Sequence, residues 1–337
     1  MKVTSGLGGM AAAPHHLAAE AALAIMAEGG SAADGAIAAN AVLGVVLPET
    51  CGPGGDLFAL VHQPGQAAPA CLNSSGRAGS GASAEELRAQ GHEAIPFRGP
   101  WAVTVPGCVD GWEALSGRFG TVPLSQALRP AIELCAGFEA SPELAAALGR
   151  AQEWLAKTPS ASELYPDGSP PLPGDTLSRP LLEATLGTIA EGGRESFFDH
   201  VGPEITHATG GRIAPVDYGR VQSDWVDPIG IDVFGRTAWT VPPNSQGYLT
   251  LAAAAIFERL DVGSDHADPA FQHGLIEAYR AVSWERNDVV ADPTNAPSID
   301  LLDRRRLDER ADSIDPATQA EWPESPEARV GTAYMCV

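Results

Sequence analysis

The chain has 337 residues, 44% of them hydrophobic, enough to bury a substantial core in one large domain or two smaller ones. Acidic residues number 43 against 21 basic, a formal charge of −22; such a surface repels phosphate backbones and excludes nucleic acid as a partner. No stretch reaches the roughly 18 uninterrupted apolar residues of a membrane helix, since the best, 36–47, is broken by Asn40 and ends at Pro48. The N-terminal ten residues carry one lysine and no apolar run before His15 and His16, so a secretory signal is not indicated and the cytoplasm is the expected location. Cys51, Cys71, Cys108, Cys135 and Cys336 are odd in number, widely spaced and without a C-x-x-C pair. They read as small buried apolar residues, neither a disulfide framework nor a zinc ribbon.

In chain order, 14–28 is alanine-rich with apolar residues at helical recurrence, and Gly29-Gly30 closes it. Ser31 caps a second helix running to Leu43. The glycine turn Cys51-Gly52-Pro53-Gly54-Gly55-Asp56 feeds a continuous apolar strand, 57–61, of the fully buried kind. A P-loop would need Gly-Lys-Ser/Thr after its glycines and a dinucleotide fingerprint a strand before them, whereas here the order is helix, turn, strand. The glycines therefore read as positions for positive φ and close backbone approach. Residues 70–73 form a second strand and 101–107 a third with a turn; 110–119 and 123–136 are helices. The helical stretch 142–194 is interrupted by the proline-rich excursion 165–174, which marks no domain boundary. A hairpin around Gly235 spans 233–241, helices follow at 248–260 and from 269 towards 288, and 301–326 is charged, proline-punctuated and reads as an exposed linker. No internal repeat is present.

The linker leads to Gly331-Thr332-Ala333-Tyr334-Met335-Cys336-Val337. A threonine that becomes an N-terminus carries its own nucleophile in the hydroxyl and its own base in the α-amine. Taken alone, Gly-Thr is far better explained by a turn entering a strand. His15, His16 and Glu20 could share a helix face, but no His/Cys ligand cluster is recognisable.

Further blocks alter that balance. Gly9-Met10-Ala11-Ala12-Ala13-Pro14-His15, Leu17-Ala18-Ala19-Glu20-Ala21 and Gly29-Gly30-Ser31-Ala32-Ala33-Asp34-Gly35-Ala36 open the chain. Gly52-Pro53-Gly54-Gly55, Val105-Pro106-Gly107, Pro242-Pro243-Asn244-Ser245-Gln246-Gly247, and Glu277-Ala278 with Arg286 and Asp292-Pro293 follow in order. In these blocks the chain resembles the large subunit of the γ-glutamyltransferase (γ-glutamyltranspeptidase) family from end to end. The resemblance implies an α+β N-terminal-nucleophile hydrolase, a four-layer αββα sandwich made as a proenzyme. It further implies self-cleavage between Gly331 and Thr332, Thr332 as the nucleophile of an acyl-enzyme, no metal or organic cofactor, and a small-molecule amide substrate. Residues 1–331 would form the large subunit as a single domain and 332–337 the start of the small subunit. The partner would be the chain's own small subunit, in a heterodimer or a dimer of heterodimers.

Two departures bear on substrate. Where the family carries an arginine for the donor's α-carboxylate, within a motif like Phe-Arg-Glu-x-Ala-Pro, this chain reads Asn73-Ser74-Ser75-Gly76-Arg77-Ala78-Gly79. Ser75 takes the arginine's place, and Arg77 two positions later either makes a bidentate carboxylate contact or is an exposed turn residue. The family's Thr-Thr-His is here Thr332-Ala333-Tyr334, and its Pro-Ser-Ser-Gly-Gly is here Asn244-Ser245-Gln246-Gly247. Substrate contacts are expected from Ser75, Arg77, Asn244 and Ser245, in a side branch similar to the oxamate-type amidohydrolases and β-lactam acylases. With five residues after Thr332, the chain reads as a truncated precursor, inactive by itself. A non-catalytic binding protein on the same architecture is the competing expectation.

Overall fold

A computed structural model of the protein describes residues 5–156, 158–292, 294, 299–315, 317–323 and 332–337. Helix α1, His16–Ala27, starts where the His15 side chain accepts from the Leu17 amide. Helix α2, Ala32–Val46, starts on a capping box in which Ser31 and Asp34 each bond the other's main chain. Twelve of its 15 residues are buried, as expected of a helix apolar on every face and small enough for close neighbours. Strands β1, Leu57–Val61, and β2, Ala70–Ser74, pair in a three-stranded sheet completed by a later strand, in the order β1, β2, then that strand. β1 is only half-buried along most of its length, so its apolar run does not mark a strand covered on both faces.

Helix α3, Ala84–Ala89, precedes a 3-10 turn at Pro100–Ala102. Residues 101–107, expected as a strand with a turn, form no strand; the Val105 amide goes to the Arg77 carbonyl, and the Gly107 amide to that of Gly55 as the chain turns into the next helix. Helices α4, Cys108–Phe119, and α5, Leu124–Leu134, follow, then β3, Phe138–Glu139, α6, Pro142–Leu155, and β4, Thr176–Leu177, which pairs antiparallel with β3. Helix α7, Pro180–Ala208, kinks at Gly193, where φ is 63° and the next amide donates to Glu113. The short α8, Pro215–Tyr218, leads into β5, Asp224–Val226, the third strand of the first sheet.

The hairpin of β6, Ile229–Val233, and β7, Arg236–Thr240, turns at Phe234-Gly235 with both residues at positive φ, as a two-residue loop requires. Helices α9, Tyr248–Leu260, α10, Pro269–Ser283, and α11, Arg286–Val289, follow. The stretch expected as a linker holds a further helix, α12, Arg304–Asp312, which buries Leu307 and Ala311. None of Gly52, Gly54 and Gly55 takes a positive φ, contrary to expectation.

The described residues form two compact units. The first comprises 5–57, 74–224 and 332–337, with a core of α1, α2, α4, α5 and α7 around Ile25, Ile37, Leu43, Trp112, Leu128 and Ile189. The second comprises 58–73 and 225–323, where β6 and β7 pack on α9, and α10 and α12 cover α9. The class is α+β. No helix among the described residues is long and apolar enough to cross a membrane.

Candidate active site

Ser75 and Arg77 lie in a loop of the first unit that follows β2 and is locked by backbone packing. The buried Ser74 hydroxyl donates to the Gly107 carbonyl at 2.6 Å. Gly76 has φ of 77°, and a Cβ there would stand 1.9 Å from the Val105 carbonyl oxygen, so only glycine fits. The Arg77 amide donates to Gln222 Oε1 at 3.1 Å and its carbonyl accepts from Val105 at 2.9 Å. Both sides of the peptide are thus fixed before the side chain is considered. The guanidinium donates through Nη1 to the Val221 carbonyl at 3.2 Å and through Nη2 to Asp224 at the head of β5. Arg77 is therefore a partly exposed loop residue tied to a carboxylate of the protein itself. Ser75, beside it, is half-buried.

The segment that supplies Gln222 and Asp224 is held in turn. The Arg194 Nε donates to Asp110 Oδ1 at 2.6 Å, and its Nη2 to the carbonyls of Tyr218 at 2.7 Å and Arg220 at 3.2 Å. The Asp110 side chain is wholly buried. Burial raises its pKa, opposed by the Arg194 charge and hydrogen bond. Ser80 is tied to the same segment, its amide donating to Asp217 at 3.0 Å.

Asn244 and Ser245 lie in the second unit, between β7 and α9. Ser245 Oγ donates to the Val241 carbonyl at 2.7 Å and accepts from the Gly247 amide at 3.2 Å, so its hydroxyl shapes the turn into α9. Asn244 Oδ1 accepts from Asn73 Nδ2 at 2.9 Å, which joins this turn to β2 two residues before Ser75 in the chain. Both residues are half-buried.

Thr332 is exposed, on a segment of the first unit; Gly331 lies outside the described residues. Four residues on, Cys336 forms an antiparallel bridge with Ala12. Among the described residues, no three or more His, Cys, Asp or Glu side chains are grouped to hold a metal.

The sequence profile described as Gamma-glutamyltranspeptidase matches residues 18–337. The chain belongs to the γ-glutamyltranspeptidase family. Among curated relatives, the glutathione hydrolase-like proenzyme of Bacillus subtilis is 33% identical over 323 residues, covering 93% of this chain and 61% of the relative. The oxamate amidohydrolase proenzyme of Klebsiella pneumoniae is 36% identical over 333 residues, with 93% and 61% covered. The chain thus spans about three fifths of the length of these relatives. Among solved structures, the γ-glutamyltranspeptidase of Helicobacter pylori superposes with a TM-score of 0.85 at 26% identity, covering 94% of this chain and 95% of that one. The cephalosporin acylase of Bacillus halodurans gives 0.83 at 32% identity, with 97% and 62% covered. These likenesses give the γ-glutamyltranspeptidase-family chain the N-terminal-nucleophile hydrolase fold.

Within that fold, sequence reading missed the partners that occupy Arg77 and the role of Glu277. The Glu277 side chain, on α10, is buried and accepts from Arg280, from Trp322 Nε1 at 3.1 Å and from the Ala320 amide at 3.3 Å. Glu277 and Arg280 are one helical turn apart and could have been paired from spacing. The 45 residues to Trp322 give no such signal.

Proposed function

We propose that this chain delivers the nucleophile of an amide hydrolase or acyl transferase that matures by cutting itself between Gly331 and Thr332. The observation that carries the reading is the family match, which spans residues 18–337 and so includes Thr332. In the precursor, the Thr332 hydroxyl attacks the Gly331 carbonyl, the C–N bond breaks as the acyl chain moves to oxygen, and water hydrolyses the resulting ester. The products are a carboxylate on Gly331 and a free α-amine on Thr332. That amine then takes the proton of the Thr332 hydroxyl as it attacks a substrate amide, and passes it to the departing amine. Water or a second amine releases the acyl group. The large subunit works with its own small subunit, as a heterodimer or a dimer of heterodimers.

The substrate is a γ-glutamyl or related small amide. A second reading, an oxamate-type amidohydrolase or β-lactam acylase, is favoured by one observation. Arg77, the nearest arginine to the family's carboxylate-binding position, is paired with Asp224. Intact mass of the protein made from its full reading frame tests the main reading: two fragments divided between Gly331 and Thr332 are expected, and T332A should leave one. A single uncut wild-type chain overturns the proposal and leaves a non-catalytic binding role. A panel of γ-glutamyl, oxamate and acyl amides then separates the two substrate readings.

A further inference from the structure

The segment that begins with Thr332 is held on the first unit by two contacts of different kinds. Ala12 and Cys336 exchange both main-chain hydrogen bonds, Ala12 N to Cys336 O at 2.8 Å and Cys336 N to Ala12 O at 2.9 Å. One residue further, a Val337 methyl lies 3.2 Å from where a Cβ on Gly35 would stand, beside the Ala22 carbonyl oxygen at 3.2 Å and Met26 Cγ at 3.3 Å. The bare Cα of Gly35 leaves the room that Val337 takes.

The receiving surface is built without the segment. Asp34, fully buried, accepts from the Ser31 amide at 2.8 Å and hydroxyl at 3.0 Å, and from the Thr121 amide at 2.8 Å and hydroxyl at 3.1 Å. These bonds fix the first turn of α2, and with it Gly35. The His15 side chain fixes the first turn of α1, three residues after Ala12.

We infer that Ala12 and Gly35 are positioning residues for Thr332, resting on the reading of Thr332 as the nucleophile. The main-chain bridge at 336 sets the register of the segment whatever side chain stands there. Thr332 lies four residues from Cys336, so its Cα stays within about 14 Å of the anchor. A one-residue slip at the bridge would carry Thr332 about 3.5 Å along the chain, beyond the reach of a fixed attack. Self-cleavage is an intramolecular attack whose rate depends on holding hydroxyl and carbonyl together, so loss of register lowers the rate without touching the reacting groups.

The test uses the full reading frame and follows self-cleavage by intact mass. A12P removes the donating N–H and should slow cleavage at least tenfold, while A12S, which keeps it, should match wild type. G35L fills the Val337 position and should also slow cleavage. In the uncleavable T332A background, the Cys336 amide should be protected from hydrogen exchange and should lose protection with A12P. Melting temperatures in that background separate positioning from general destabilisation. Wild type left uncut sinks the Thr332 reading and the positioning role with it. Wild type cut, with A12P and G35L cut at its rate, sinks the positioning role alone. Should A12P not fold, G35L and amide exchange decide: a Cys336 amide unprotected in T332A overturns the inference.

Discussion

The Arg77 guanidinium is paired with Asp224, at the head of β5, and the backbone on either side of Arg77 is fixed by Gln222 and Val105. Asp224 is more than half exposed, and Arg77 about a quarter. An exposed pair of this kind contributes about 1 kcal/mol or less and can be displaced by a competing carboxylate. Asp224→Asn should therefore lower the Michaelis constant for a donor bearing an α-carboxylate by about two- to fivefold, roughly the value of the pair. Neutral acyl amides should be unaffected. Arg77→Ala should raise the constant for the carboxylate donor and leave the neutral one alone. Equal constants for both donors across wild type and the two variants would show that Arg77 only closes its loop.

Glu277 joins α10 to the stretch 320–322. Its buried carboxylate accepts from Trp322 and Ala320 as well as from Arg280. Replacing it with leucine takes an acceptor from the partly exposed Arg280 guanidinium and from two half-buried donors, at a cost of about 1–3 kcal/mol. Urea unfolding of the T332A protein should show that loss. Trp322→Phe removes one charge-assisted bond and should cost about 1–2 kcal/mol. Tryptophan fluorescence of the Glu277→Leu protein should shift to the red as Trp322 meets water. Unchanged stability in both variants would mean that the 320–322 stretch is not held by this contact.

Helix α12 shows where sequence reading stopped. Residues 304–312 carry seven charges in nine positions, which reads as solvated linker. The helix buries only Leu307 and Ala311, one turn apart, and its remaining hold on the second unit is electrostatic: Arg306 and Arg310 both donate to Glu285. Two apolar residues at i and i+4 are a faint signal, and the partner lies 21 to 25 residues back. Leu307→Ala should cost about 2–5 kcal/mol, because Leu307 is nearly inaccessible. Arg305→Ala, at a side chain 87% exposed, should cost almost nothing. Denaturant melts of the two variants check the contrast.

The elements that sequence did reveal are those whose causes are local. Ser31 and Asp34 start α2 through bonds three residues apart, and Phe234-Gly235 closes a hairpin of adjacent strands. The stretch 103–107 has the alternation of a strand, but its hydrogen bonds go to Arg77 and Gly55, loops that no spacing rule connects to it. The same holds for the site. Thr332 and the block 242–247 could be singled out by residue type and order. That Arg77 meets Asp224 is set by a separation of 147 residues. The buried Asp110 to Arg194 pair that holds the 218–220 stretch spans 84.

The cysteines give a test of the docked segment itself. Cys71, Cys108 and Cys135 are buried, Cys51 is partly exposed, and Cys336 is exposed even though its main chain is paired with Ala12. Burial pushes the thiols of Cys51 and Cys71 up to about 11 and that of Cys135 to about 12, and raises Cys108 well above the ordinary value. A thiol of pKa 11 is about one part in a thousand thiolate at pH 8, and the thiolate is the reacting form. At that pH a thiol reagent should modify Cys336 in one fast phase and Cys51 slowly, with the other three reacting only in denaturant. Raising the pH towards 10 should speed Cys51 about tenfold per unit. Cys336→Ser should remove the fast phase without slowing self-cleavage, because the bridge to Ala12 uses main-chain atoms alone. A fast phase that survives Cys336→Ser would place the exposed thiol elsewhere. Self-cleavage lost in the same variant would mean that the 336 side chain, and not the backbone register, governs how Thr332 is held.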